Sequence, residues 1–196
     1  TGTLFISLTK NAFRLVKDAA NKRSQNFYGH MLELTPPITE QGHDHTAVQY
    51  RWSIFLQGGN PAVASHDAYY QSPVSAHGWL VNPDNVAFDT FGRIWICTDG
   101  QSGSIGMCDG LYAAECSGEA KGGTRLFFTA PLGAEVTGPA FTPDSKTLFL
   151  SIQHPSEGAS FDAPTTRWPD FKEGMPPRPS IVAITHARGK VIGSAK

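Results

Sequence analysis

The chain has 196 residues, 40% of them hydrophobic and 11% aromatic, with 20 glycines, 14 prolines and only 17% charged residues. That is enough for one or two domains with a packed core, and the turn-rich balance points to an all-β protein rather than a helical or disordered one. A formal net charge of −1 leaves no electrostatic footprint for nucleic acid or an anionic membrane, and no apolar run is long enough for a membrane span.

In chain order, residues 3–8 (TLFISL) read as a strand. No basic segment followed by an apolar run precedes them, so no signal peptide is visible, and a chain that opens in a strand is expected to be a portion of something longer. Residues 10–26 are polar, with a short helix expected around Ala12–Ala20. Strands follow at 27–34 (FYGHMLEL, ended by Pro36-Pro37) and at 47–57 (AVQYRWSIFLQ), separated by a polar loop at 38–46. A long Gly/Ala/Ser/Pro/His loop runs from Gly58 to about Asn82. Residues 82–100 (NPDNVAFDTFGRIWICTDG) alternate apolar and polar residues on both sides of Thr90-Phe91-Gly92-Arg93, the pattern of a hairpin. Residues 101–123 are a Gly/Ser-rich connection with one strand near Gly110–Ala114, and 124–129 (TRLFFT) are a strand. A second hairpin spans 137–151 with its turn at Pro143-Asp144-Ser145-Lys146; a loop at 154–179 leads to strands at 180–185 and 190–192.

The two hairpins repeat. AFDTFGRIWI (87–96) and AFTPDSKTLFL (140–150) share Ala-Phe, a polar turn, a basic residue and an apolar-aromatic strand, with Trp95 matching Phe149. A four-stranded unit recurring every few tens of residues is the signature of a β-propeller blade. The chain then holds roughly two to three blades of an incomplete propeller, residues 1–196 forming part of one propeller domain with no separate second domain. A β-sandwich with similar hairpins is the alternative.

YGHMLEL (28–34), YRWSIFLQGG (50–59), NPDNVAFDTFGRIWICTDG (82–100), GAEVTGPAFTPDSKTLFLSIQHPSEG (133–158) and RPSIVAI (178–184) resemble, in order and spacing, motifs in the C-terminal portion of PhoX-type alkaline phosphatases. The 82–100 stretch is also similar to calcium-dependent lactonase propellers of the gluconolactonase type. The first resemblance implies a six-bladed propeller whose central channel holds Ca²⁺ and Fe³⁺, hydrolysis of phosphate monoesters, and export to the periplasm or outside the cell. The partners it implies are a small-molecule phosphate ester and the rest of the propeller.

Several residues suit that chemistry. Asp84-Asn85 offers carboxylate and amide oxygens to a hard cation such as Ca²⁺, or forms an Asx-turn that opens the strand. Glu135, alone in the apolar GAEVTGP, is costly to bury unless paired or metal-bound, and the repeat laid over itself sets it in the place of Asp84-Asn85; the alternative is a loop glutamate. Arg178 carries a guanidinium fork matched to a phosphate dianion, or is a surface arginine beside a turn. His154 is a ligand, an acid or a loop-packing residue, and Asp99 a ligand or a turn-former. His43-Asp44-His45 reads as a solvated loop, His30 as a core or channel-lining residue with a hydrogen bond, and Trp52, Phe88, Trp95 and Phe149 as blade-to-blade packing.

The three cysteines show no CxxC pair; Cys97 reads as buried, and Cys108 with Cys116 can pair in a secreted protein. No phosphate-binding glycine loop, GxSxG elbow or HExxH is present, which favours metal-assisted hydrolysis over a covalent serine route. Metal-dependent phosphatase is therefore the first reading, with Ca²⁺ and Fe³⁺ as cofactors. A calcium-dependent gluconolactonase-like propeller and a non-catalytic propeller segment are the alternatives.

Overall fold

The computed structural model describes residues 2–194. Three antiparallel sheets form in succession, each strand pairing mainly with its neighbours in sequence. The first sheet has the order β1-β2-β5-β6, from β1 (Leu4–Leu8), β2 (His30–Thr35), β5 (Arg51–Gln57) and β6 (Tyr69–Tyr70). A two-residue hairpin, β3 (Ile38–Thr39) with β4 (Gly42–His43), projects between β2 and β5. The second sheet runs β7 (Pro83–Phe88), β8 (Ile94–Thr98), β9 (Gly110–Ala114), β10 (Thr124–Thr129). The third holds β11 (Glu135–Phe141), β12 (Thr147–Gln153) and β13 (Ser180–Thr185). The leading strands β1, β7 and β11 lie side by side, so the sheets radiate from them as propeller blades do. The fold is an all-β, incomplete propeller of three blades.

β8 shows why five consecutive residues, IWICT, are wholly buried. Successive side chains of a strand point to opposite faces. Ile94 and Ile96 enter the core between the first and second blades, with Phe5, Met31, Phe55, Leu56, Leu80 and Tyr112. Trp95 and Cys97 enter the core between the second and third, with Leu111, Val136, Leu148, Leu150 and Ile152. A strand packed on both faces reads as a continuous apolar run. The Asp89 carboxylate fixes the turn before it, accepting from Phe91 N at 2.9 Å, Arg93 N at 3.0 Å, Arg93 Nε at 2.6 Å and Trp95 Nε1 at 2.9 Å.

Several expectations change. No helix forms over Ala12–Ala20: Arg14 O accepts from Gln25 N at 2.8 Å and Asp18 N donates to Asn21 O at 2.9 Å, the pair a helix would join, while Asp18 Oδ1 takes the amides of Ala20 and Asn21 into a turn. A short helix, α1 (Gln101–Ile105), forms instead in the glycine-rich connection. Residues 190–192 are not a strand; Ile192 is buried in the second core, its amide bonded to Ser145 O at 2.8 Å. Cys97, Cys108 and Cys116 are all free, Cys97 buried. Of the aromatic residues expected between blades, Trp95 is fully buried, whereas Trp52, Phe88 and Phe149 are substantially exposed; Phe88 still meets Phe5 of the first blade at 5.7 Å.

Leu150→Ala, which leaves a void in the core between the second and third blades, is expected to cost about 2–5 kcal/mol. Urea unfolding checks this as a lower midpoint at unchanged slope.

Candidate metal centre

Antiparallel pairing brings the two ends of the 82–100 hairpin together. Pro83 pairs with Thr98, and the Asp99 amide bonds to Asn82 O at 3.1 Å. Between Pro83 and Val86 the register shifts, so that two residues of β7, Asp84 and Asn85, face one residue of β8. Such a bulge re-aims side chains that a regular strand would send to opposite faces. β11 carries a matching shift between Thr137 and Ala140. The pairing also corrects the place of Glu135 in the repeat. Glu135 opposes Gln153 as Asn82 lies beside Asp99, so its counterpart is Asn82 rather than Asp84-Asn85.

Asp84, Asp99 and Glu135 converge, each presenting a carboxylate oxygen within 4.8 Å of the others. Glu135 is buried, Asp84 half-buried and Asp99 the most open. Among the described residues no lysine or arginine forms an ion pair with any of the three. Lys10 lies beside the turn that follows Asp99: a β-carbon placed on Gly100 would lie 3.8 Å from Lys10 Nζ.

The supports differ from oxygen to oxygen. Asp84 Oδ1 accepts from Thr9 Oγ1 at 3.4 Å and Oδ2 from Asn85 Nδ2 at 3.1 Å. Asn85 Oδ1 accepts from Thr137 Oγ1 and from Gly138 N, so both of its lone pairs are engaged by β11. Asn85 thus links the second blade to the third and holds Asp84; to ligate a cation through Oδ1 it has to give up a bond to β11. Glu135 Oε2 accepts from Gln153 Nε2 at 2.7 Å and lies 3.3 Å from His154 Nε2. His154, at φ 33°, is therefore part of the site's surroundings, with Nδ1 3.6 Å from Glu157.

Burial, followed by the Asp99 carboxylate, holds the Glu135 carboxyl above its ordinary range; the hydrogen bond from His154 opposes this and Asp84 adds to it. Below the cluster, burial and then the charges of Asp84, Glu135 and Asp109 push the Cys97 thiol well up, so it stays protonated and inert. The donor set is all carboxylate oxygen, which suits hard cations such as Ca²⁺. Three convergent carboxylates without a cationic side chain bonded to them fit such an ion.

Arg178 is placed differently. It lies two residues before β13, whose first residue, Ser180, pairs with Ile152 beside Gln153. Its guanidinium is exposed and closed on Asp170 by a bidentate pair, Nε to Oδ2 at 2.8 Å and Nη2 to Oδ1 at 3.0 Å. His30 is buried, bonded through Nδ1 to Asn26 at 2.8 Å, and burial lowers its pKa. Asp99 is the acidic member that residue-by-residue weighing left between ligand and turn-former. Hairpin register is the signal that finds it, because the residue after the second strand must lie beside the start of the first.

The family model described as alkaline phosphatase PhoX matches residues 1–156. The chain belongs to the PhoX alkaline phosphatase family. Among solved structures it is similar to Pseudomonas fluorescens PhoX in complex with vanadate, a transition state analogue, at 32% identity and a TM-score of 0.82 over 98% of this chain. The match covers 33% of that protein, so the present chain spans about a third of its length. No curated protein matches.

The raised Glu135 pKa makes a pH prediction. The folded state holds this proton more tightly than the unfolded chain, so with chelator present the contribution of Glu135 to stability is greatest at low pH. It falls as pH rises from about 4 through the raised Glu135 value. Saturating Ca²⁺, which binds the ionised form, is expected to reverse that trend. Thermal melts of the unaltered protein and of Glu135→Gln across pH, with and without Ca²⁺, check it; a difference between the two chelated proteins that shifts in favour of the unaltered one as pH rises over this range contradicts it.

Proposed function

We propose that this chain carries part of the active site of a metal-dependent phosphatase acting on phosphate monoesters. The observation that carries the reading is the convergence of Asp84, Asp99 and Glu135 at the inner ends of two adjacent blades, in a chain of the PhoX family. The Pseudomonas relative was solved with a vanadate transition state analogue, which supports phosphoryl transfer as the chemistry.

Asp84, Asp99 and Glu135 would hold Ca²⁺, and the same hard-oxygen set suits Fe³⁺. Such ions neutralise a phosphoryl group's charge and polarise its oxygens. The chain's own residues supply the rest. Gln153 and His154 steady the Glu135 carboxylate by hydrogen bonds to Oε2, leaving Oε1 for a cation. Asn85 and Thr9 hold Asp84, which ties its orientation to both neighbouring blades. Asn85 itself joins the ligand set if a cation draws its amide oxygen from β11. Arg178 holds the phosphate by exchanging Asp170 for it, since a carboxylate and a phosphate offer the fork the same pair of acceptors.

The remaining blades are the natural partner of this chain. Leu4, Ile6 and Leu8 of β1 and Ile181 of β13 stand exposed at the two ends of the three-blade array. Further blades packed there bury them as the two internal cores bury β8. No helix among the described residues is long and apolar enough to cross a membrane. Family membership supports a periplasmic or secreted setting.

The test is turnover of p-nitrophenyl phosphate with Ca²⁺ and Fe³⁺ by the protein in the presence of its remaining blades. Glu135→Gln and Asp99→Asn are each expected to lower kcat/KM by about 100-fold or more, because a metal's charge stabilisation is worth several kcal/mol. The three blades alone are expected to give little or no turnover. Robust turnover by either variant, or in chelator, contradicts the reading.

A further inference from the structure

Asp109 lies just before β9, is only 4% exposed, and has no lysine or arginine ion-paired to it among the described residues. A carboxylate buried in this way is costly unless its oxygens are filled. They are filled from one short stretch. Oδ1 accepts from Thr98 Oγ1 at 2.8 Å and Gln101 N at 3.0 Å, and Oδ2 accepts from Gly100 N at 2.9 Å. Thr98 Oγ1 in turn accepts from Gly110 N at 3.0 Å, closing a ring between the end of β8 and the start of β9. The residue enclosed by these contacts is Asp99.

The same turn is held from its other side. Asn82 takes the Asp99 amide on its carbonyl and donates from Nδ2 to Gly100 O at 3.1 Å. The fully buried Gln101 accepts from Val81 N at 3.0 Å and donates to Cys108 O at 2.9 Å. Gly100 adopts φ 84°, a left-handed conformation that favours glycine and turns the chain directly after Asp99. A neutral carboxamide at 109 has a single acceptor oxygen and cannot take all three donors, whereas a carboxylate can.

We infer that Asp109 is a positioning residue for the cation site: its carboxylate fixes the Thr98–Gln101 turn so that Asp99 meets Asp84 and Glu135. Asp109 touches no ion itself. Its negative charge, added below three other carboxylates, is tolerated because it sets the direction of the one ligand that lies outside a strand. Partners that orient metal ligands typically carry 10–100-fold in metal affinity. This inference rests on the reading of the cluster as a cation site.

Calorimetric titration with Ca²⁺ tests it on the protein, the folded state of each variant being checked by circular dichroism. Asp109→Asn is expected to bind Ca²⁺ about 10–100-fold more weakly than the unaltered protein. Amide hydrogen exchange is expected to show lost protection at Gly100. Thr98→Val, which removes one arm of the ring and keeps the side chain's shape, is expected to weaken binding in the same direction, and it serves if Asp109→Asn does not fold. Ile94→Val, a core truncation at the far end of β8, is expected to lower stability and leave the affinity unchanged. Wild-type affinity in folded Asp109→Asn or Thr98→Val overturns the inference, as does an equal loss in Ile94→Val. An unaltered protein that binds no Ca²⁺ overturns the cation site itself, and the role of Asp109 with it.

Discussion

Three carboxylates that lie within 4.8 Å of one another, with no lysine or arginine bonded to them, set the terms for this structure. At 4.8 Å an ionised pair repels by about 3.5 kcal/mol at an effective dielectric constant near 20, and by less where Asp99 opens to solvent. Burial, and after it the Asp99 charge, raises the Glu135 carboxyl. A chain can hold such an arrangement either by keeping one group protonated or by binding a cation. The hydrogen bonds from Gln153, His154, Thr9 and Asn85 orient the carboxylates; the raised Glu135 carboxyl serves the first course, and the cation proposed above would serve the second.

The blades exist to hold those groups still. β8 is buried on both faces, so the second blade is clamped between two cores and its ends cannot shift independently of its neighbours. The bulge at Asp84-Asn85 gives two adjacent side chains related tasks: Asp84 turns toward the cluster, and Asn85 fastens β7 to β11. Because the cluster draws on both the second and third blades, its geometry is a property of the seam between them. A truncation in the core beneath that seam is therefore felt at the site as well as in stability.

Much of the fold was legible in the sequence because blade strands obey simple periodicity. The hairpins at 82–100 and 137–151, with their turns, emerge close to their expected bounds, and the repeat of Ala-Phe, turn and apolar strand correctly signals blades. Where the reading failed, longer-range or local side-chain chemistry prevailed. Gln25 and Asn21 took the partners that Arg14 O and Asp18 N would share in a helix at 12–20, and Ile192 went to a core rather than a ladder. The site was half legible. Asp84 and Glu135 stand out as acids in apolar surroundings, but only strand pairing sets Glu135 level with Asn82 rather than with Asp84-Asn85. Asp99 becomes visible only when the two strands are paired, and Asp109 only when the turn after them is folded. Nothing in the local sequence around Arg178 shows that Asp170, eight residues earlier, closes its fork.

The central claim is that Asp84, Asp99 and Glu135 bind one cation together, and a crystal structure grown with Ca²⁺ tests it most directly. The account predicts anomalous density for an ion about 2.3–2.6 Å from an oxygen of each of the three carboxylates. A Ca²⁺-soaked structure in which the carboxylates stay at their present spacing with no ion between them, or in which Lys10 turns in to pair with Asp99, would contradict it.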